Sequence, residues 1–214
     1  MNQGLAGALS FLVVVAGVTA ANLMFDRKTG HYVSRKAGHL SGGVAALIMV
    51  LWMDFWPAFV LASGAALGLV LLRLWQPHSL RGIGGTGRPH AYAEVTYALA
   101  IPLSLAVGWG VFNDRWLAFL PIAYLAFGDS VTGLVRSAIY KKEVKGWWGT
   151  AAMGVVCLLL AALYPVYWIG AAGAVAATIA ERFSPIAHGW LDDNLILVAA
   201  SLAVMILLKG VTGL

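Results

Sequence analysis

The sequence predicts an all-α integral membrane protein: a helical bundle of about eight transmembrane helices with both termini non-cytoplasmic. Three observations carry this expectation. Of 214 residues, 61% are hydrophobic and 11% charged, and the mean hydropathy is +0.83, far from the balance of an ordinary soluble domain. Apolar stretches recur along the whole chain and leave no room for a separate soluble domain, so one membrane domain over residues 1–214 is expected. The basic residues, finally, gather in alternate loops.

Taken in order, Leu5 to Phe25 is long enough to span. Only Met1-Asn2-Gln3-Gly4 precedes it, without the positive charge of a cleaved signal, so a retained first helix is expected. Asp26 to Gly38 follows as a basic connection, then a second span from about Ala37 to Trp52. A short turn at Met53-Asp54-Phe55-Trp56 leads to a third span, Pro57 to about Trp75. Gln76 to Ala93 is a Gly-rich basic loop, and Glu94 opens a fourth span reaching Phe112. Asn113-Asp114-Arg115 turns the chain into the fifth, Trp116 to about Ala138. The sixth runs from Trp147 to Tyr164 and is broken by Pro165. The seventh covers about Trp168 to Glu181, and the eighth starts at Asp193 or Asn194 and ends near Leu208.

With eight spans, loops one, three, five and seven hold twelve of the fourteen Lys and Arg, leaving Arg115 and Lys209 on the other side. The positive-inside bias then puts those four loops in the cytoplasm. The nine tryptophans lie near span ends, as interfacial anchors do. A charge of +5 dispersed among short loops reports orientation rather than a nucleic-acid footprint, so no nucleic-acid partner is expected. The single cysteine, Cys157, rules out an intramolecular disulfide or a cysteine metal cluster.

Acidic residues collect at the same face. Seven of nine carboxylates, Asp26, Glu94, Asp129, Glu143, Glu181, Asp192 and Asp193, fall in the cytoplasmic half. An ionisable residue within a span is a functional candidate by default. On one helix Asp129, Thr132, Gly133 and Arg136 fall at i, i+3, i+4 and i+7, forming a small, polar face. Carboxylates near the ends of four helices suit Mg²⁺, which is held by one or two of them plus substrate phosphates. Arg35, Lys36, Arg88, Lys142 and Lys145 are the candidate phosphate partners. The bland alternatives are a structural ion pair for Asp129, a carbonyl hydrogen bond for His39, and orientation signals for Arg27 and Lys28. Gly82, Gly84, Gly85 and Gly87 lack the Gly-Lys-Ser/Thr ending of a P-loop.

Several of these segments, in order, resemble the CTP-dependent polyprenol kinases, the family of dolichol kinase and phytol kinase. Arg35-Lys36-Ala37-Gly38-His39 resembles its Arg-Lys-x-x-His segment, and Gly128-Asp129-Ser130 with Gly133-Leu134-Val135 its Gly-Asp segment. Lys141-Lys142 with Gly146 stands in the place of its Lys-Lys-Ser-x-Glu-Gly element. Thr178-Ile179-Ala180-Glu181 and Asp193-Asn194 resemble its closing elements. Departures are Glu143 for a usual Ser, Lys145 for a usual Glu, Thr132 for a small Ala and Arg136 where Gly is common.

The resemblance implies transfer of the γ-phosphoryl of CTP to the primary hydroxyl of an isoprenoid alcohol, at the cytoplasmic face of a multi-pass plasma-type membrane. In that reading Asp129 holds Mg²⁺, with Glu181 and Asp193 as further metal or water-orienting groups. Arg35, Lys36, Arg88, Lys142 and Lys145, with Gly128 and Gly146, surround the nucleotide phosphates. Glu94 or His39 takes the hydroxyl proton, and Ser130, Thr132 and Asn194 support the site. The alternatives are a CTP:lipid-phosphate cytidylyltransferase and a small transporter, the last expecting midplane carboxylates and inverted repeats.

Overall fold

The computed structural model describes residues 1–27, 31–84, 92–140, 145–184 and 192–213, and among them the secondary structure is helical throughout. The helices are α1 (Gln3–Asp26), α2 (His31–Trp52), α3 (Phe55–Trp75), α4 (Ala93–Val111), α5 (Arg115–Tyr140), α6 (Trp147–Leu163), α7 (Tyr167–Phe183) and α8 (Asp193–Thr212). A short 3₁₀ turn, Pro77–Leu80, follows α3. Five of them, α1, α3, α4, α5 and α8, are long and apolar enough to cross a membrane. α2 carries charge in its opening turns, and α6 and α7 are shorter.

Two boundaries differ from the sequence expectation in ways that matter. α2 begins at His31, about two turns before Ala37, so Arg35 and Lys36 sit on the helix rather than in a loop. Continuing the helix lets Lys36 bury its stem and present its amine to a carboxylate of α5. α5 continues to Tyr140, so Asp129 lies near its middle, about 16 Å of helix from that end.

α5 is the central rod. About 78% of its spanning window is buried inside the protein, against 11% for α1. Leu117 to Ala126 is an unbroken buried run. One core packs its Leu117, Leu120 and Tyr124 against α4, α6, α7 and α8; a second packs its Phe119, Ile122 and Ala123 against α1, α2 and α3. Close packing of α2 on α5 is allowed by Gly43, where a Cβ would stand 2.4 Å from the Ala126 methyl.

α4 and α5 each contain an internal proline, Pro102 and Pro121, followed by a π-helical stretch, Leu105–Val111 and Tyr124–Gly128. Proline removes a backbone donor from the ladder, and wide turns of this kind occur often at functional sites. The second wide turn ends immediately before Asp129 and sets that carboxylate's rotation about α5.

Polar side chains collect at two ends of the bundle. One end is closed by Asp114, which caps α5 by accepting from the Trp116 and Leu117 amides and also binds Tyr164 Oη at 2.8 Å and Lys209 Nζ at 2.6 Å. Asn113 reaches this turn at φ 49°. The other end, where α2, α4, α6 and α8 begin, holds the groups described next.

Candidate active site

Lys36 and His39 share a face of α2 at i and i+3, and that face meets α5 where the Tyr124–Gly128 turn presents Asp129. Lys36 Nζ lies 2.6 Å from Asp129 Oδ2, with both side chains nearly sequestered. His39 Nδ1 stands 3.3 Å from the same oxygen, short of good hydrogen-bond alignment. The His39 ring stacks on Tyr97 at 4.2 Å, while Tyr97 Oη donates to the His39 carbonyl at 2.6 Å and fixes the ring's height. Among the described residues the other carboxylate oxygen, Asp129 Oδ1, takes no hydrogen bond or ion pair. Arg35 Nε, one residue before Lys36, is buried without a hydrogen-bond partner among those residues.

A second cluster joins α5, α6, α7 and α8. Arg136 grips Glu181 in bidentate fashion, Nη1 to Oε1 at 3.0 Å and Nη2 to Oε2 at 3.1 Å. Lys145 donates to the Glu181 carbonyl at 2.5 Å, to the Ser184 carbonyl at 3.0 Å and to Ser184 Oγ at 2.7 Å. Its charge lies 3.9 Å from Glu181 Oε1 and 3.7 Å from Asp193 Oδ2.

The third feature is a cavity of about 760 Å³ between α1, α2, α3 and α4, walled almost wholly by aliphatic and small residues. Leu80 and Ile83 roof it, and His39, Tyr97 and Glu94 line its polar end. Glu94 Oε1 faces Arg73 at 3.2 Å, its side chain is only 2% exposed, and neither of its oxygens accepts a hydrogen bond among the described residues. Other polar side chains of the cavity are engaged: Thr19 with the Val15 carbonyl, Ser41 with that of Gly38, and Asn22 with Ser79 and Gly82. Gly84 lets the roof close on Glu94, since a Cβ there would lie 2.1 Å from Oε2.

Beside these groups, Asp192 caps α8 through the Asn194 amide and accepts from Thr96 Oγ1 at 2.5 Å, while Asn194 Nδ2 reaches the Ala93 carbonyl at 2.9 Å. Asn194 thereby fastens α8 to α4. Burial pushes the Asp192 carboxyl up to about 6 against the Thr96 hydrogen bond, and the charge of Asp193 adds to the rise.

The expected site residues therefore divide. Asp129, Lys36 and His39 come together, and Glu94 joins His39 at the cavity. Glu181, Asp193 and Lys145 form the separate cluster organised by Arg136. Of the expected metal ligands, Asp129 lies in the first cluster and Glu181 and Asp193 in the second, where Glu181 is paired with Arg136 and Lys145; among the described residues no group of three His, Cys, Asp or Glu is placed to hold a metal ion. Asp129 Oδ1, without a partner among the described residues, would offer one oxygen ligand to a divalent cation such as Mg²⁺.

Gly128 and Gly146 are accounted for by packing, since a Cβ would fall 2.5 Å from Cys157 Sγ and 2.3 Å from the Tyr140 ring. The hydroxyls of Ser130 and Thr132 donate to the carbonyls of Ala126 at 2.5 Å and Gly128 at 3.0 Å. Arg88 and Lys142 lie outside the described residues. Sequence reasoning missed Arg73, counted only as an orientation charge, although its place in the last turn of α3 opposite the first turn of α4 foreshadows the pair with Glu94. No family model, curated protein or solved structure matches this chain.

Proposed function

We propose that the protein is a membrane lipid kinase, with all eight helices crossing the bilayer, both termini outside and the Asp129 end facing the cytoplasm. It transfers the γ-phosphoryl of CTP to the primary hydroxyl of an isoprenoid alcohol. One observation carries this reading: His39 belongs both to the Lys36–Asp129 cluster and to the wall of the apolar cavity, so a phosphate site and a lipid site meet at one imidazole.

In this reading the alcohol lies with its chain in the cavity and its hydroxyl at Glu94 and His39. Arg35 and Lys36 take the nucleotide's phosphates as bidentate and point-charge partners. Asp129 Oδ1 would hold Mg²⁺, which neutralises charge on the transferring phosphoryl group. As the alcohol oxygen bonds to the γ-phosphorus, its proton passes to Glu94 or His39, and the bond from the γ-phosphorus to the β,γ-bridging oxygen breaks to release CDP. The apolar roof of Leu80 and Ile83 excludes water that would compete as acceptor.

The test is product analysis with purified protein, Mg²⁺, CTP and geranylgeraniol. CDP and a lipid monophosphate should form together, and Asp129→Asn, which keeps the size but loses the charge, should abolish both without unfolding the protein. Full turnover in that variant would remove Asp129 from the reaction.

A further inference from the structure

The cavity has a measurable depth. On α3 its wall runs from Leu72, next to the Arg73 that faces Glu94, down to Leu61 and Val60; on α1 it runs from Asn22 to Ser10. At 1.5 Å per residue both walls give a length of about 18 Å. Beyond the far end α1 packs near α3 and the end of α2, where a Cβ on Gly7 would lie 3.8 Å from Leu61 Cδ2 and 3.7 Å from Met53 Cε. The polar end offers Glu94, buried, aimed into the cavity and without a hydrogen-bond donor among the described residues.

Two glycines stand along this length. Gly64 and Gly68 both line the cavity, and a Cβ at either meets nothing within 4 Å. Their space is not used by protein packing. They lie about 13–14 Å and about 7–8 Å of helix from Arg73.

We propose that the cavity is a chain-length gauge for a lipid alcohol of about four isoprene units, with Gly68 and Gly64 keeping its bore open at two depths and the hydroxyl donating to Glu94. An extended chain advances about 1.2 Å per bond, as the polypeptide backbone does over three bonds per residue, so geraniol reaches about 10 Å and geranylgeraniol about 19 Å. The first passes the level of Gly68 but not that of Gly64; the second fills the cavity to Leu61. The gauge works by steric fit, because a chain already dissolved in lipid gains little from further apolar contact. The inference rests on the proposed reading for the alcohol's fate, not for its binding.

The experiment measures equilibrium binding of geraniol and geranylgeraniol, without nucleotide, to the full chain in nanodiscs. Variants are Gly64→Leu and Gly68→Leu, each placing its side chain in open space so that the fold is retained. Gly64→Leu should weaken geranylgeraniol by about 5- to 150-fold, the range that overpacking produces, and leave geraniol within about twofold. Gly68→Leu should weaken both alcohols by about that range. Unchanged geranylgeraniol binding in both variants, or no binding of either alcohol to the unmodified protein, overturns the proposal. Graded binding without phosphoryl transfer from any nucleotide would uphold the gauge and refute the kinase.

Discussion

Replacing Arg136 by Met should destabilise the protein, and replacing Glu181 by Leu in the same chain should restore most of the loss. The guanidinium donates one hydrogen bond to the carboxylate at 3.1 Å and makes a second ion-pair contact at 3.0 Å, and their side chains are only 6% and 1% exposed. Taking away one member of a buried pair leaves an uncompensated charge, at a cost of about 3–5 kcal/mol. Lys145, 3.9 Å from Glu181 Oε1, still screens it, so the lower figure of about 3 kcal/mol applies. Methionine keeps the stem that Arg136 lays over Gly149. For a chain of this size, that cost corresponds to roughly 6–12 °C in Tm. Cys157, the sole thiol and fully buried, is the natural reporter: a thiol-reactive dye should label it at a lower temperature in Arg136→Met. In the double variant Lys145 retains Ser184 and Asp193, so no charge is orphaned. A single variant as stable as the unmodified protein, or a double variant no better than the single, refutes this account of the cluster.

Asp192, outside the spans, gives a pH dependence. Its folded carboxyl sits near 6 against an ordinary 3.8, so it holds its proton more tightly folded than unfolded. Stability therefore falls as pH rises from about 4 to about 6 and is flat above, by about 3 kcal/mol in all. Asp192→Asn should flatten the melting temperature across that window, and an unchanged slope would clear Asp192. For topology, cysteines placed at Gly85 and Gly189 in a Cys157→Ser background should be labelled from the cytoplasm, and those at Asn113 and Tyr167 from outside. Labelling of Gly85 and Gly189 from opposite faces would end the eight-crossing arrangement. At the other end, Asp114→Ala removes the cap of α5 and should cost about 1–2 kcal/mol, read in the same thermal assay. The same change removes the acceptor of Lys209 and Tyr164, so no change in melting would show that the Asp114 carboxylate does not hold that turn.

How far the sequence shows the site follows from the range of each interaction. The face of Asp129, Thr132, Gly133 and Arg136 is legible because it is local helical periodicity, and all four residues are buried as that spacing requires. The tight turn at Asn113-Asp114 and the break at Pro165 are legible for the same reason. The partner of Asp129 is not. Lys36 lies 93 residues away, and it reaches the carboxylate because α2 starts early and α5 widens after Pro121. Neither event has a signature in hydropathy. Glu181 reads as a metal ligand in sequence because its cation, Arg136, sits on another helix 45 residues earlier. The cavity is legible nowhere, since it is the space left between four helices; only the glycines of α3 hint at it.

The measurement that bears most directly on the central claim is the fate of two labels in one reaction. CTP carrying one label at the γ-phosphorus and another at the α-phosphorus is incubated with the purified protein, Mg²⁺ and geranylgeraniol, and the lipid is extracted. The kinase account predicts γ label in the lipid and α label in water-soluble CDP. Appearance of α label in the lipid with release of pyrophosphate would contradict it in favour of cytidylyl transfer, and absence of both labels across prenols, diacylglycerol and their phosphates would end both enzymatic readings.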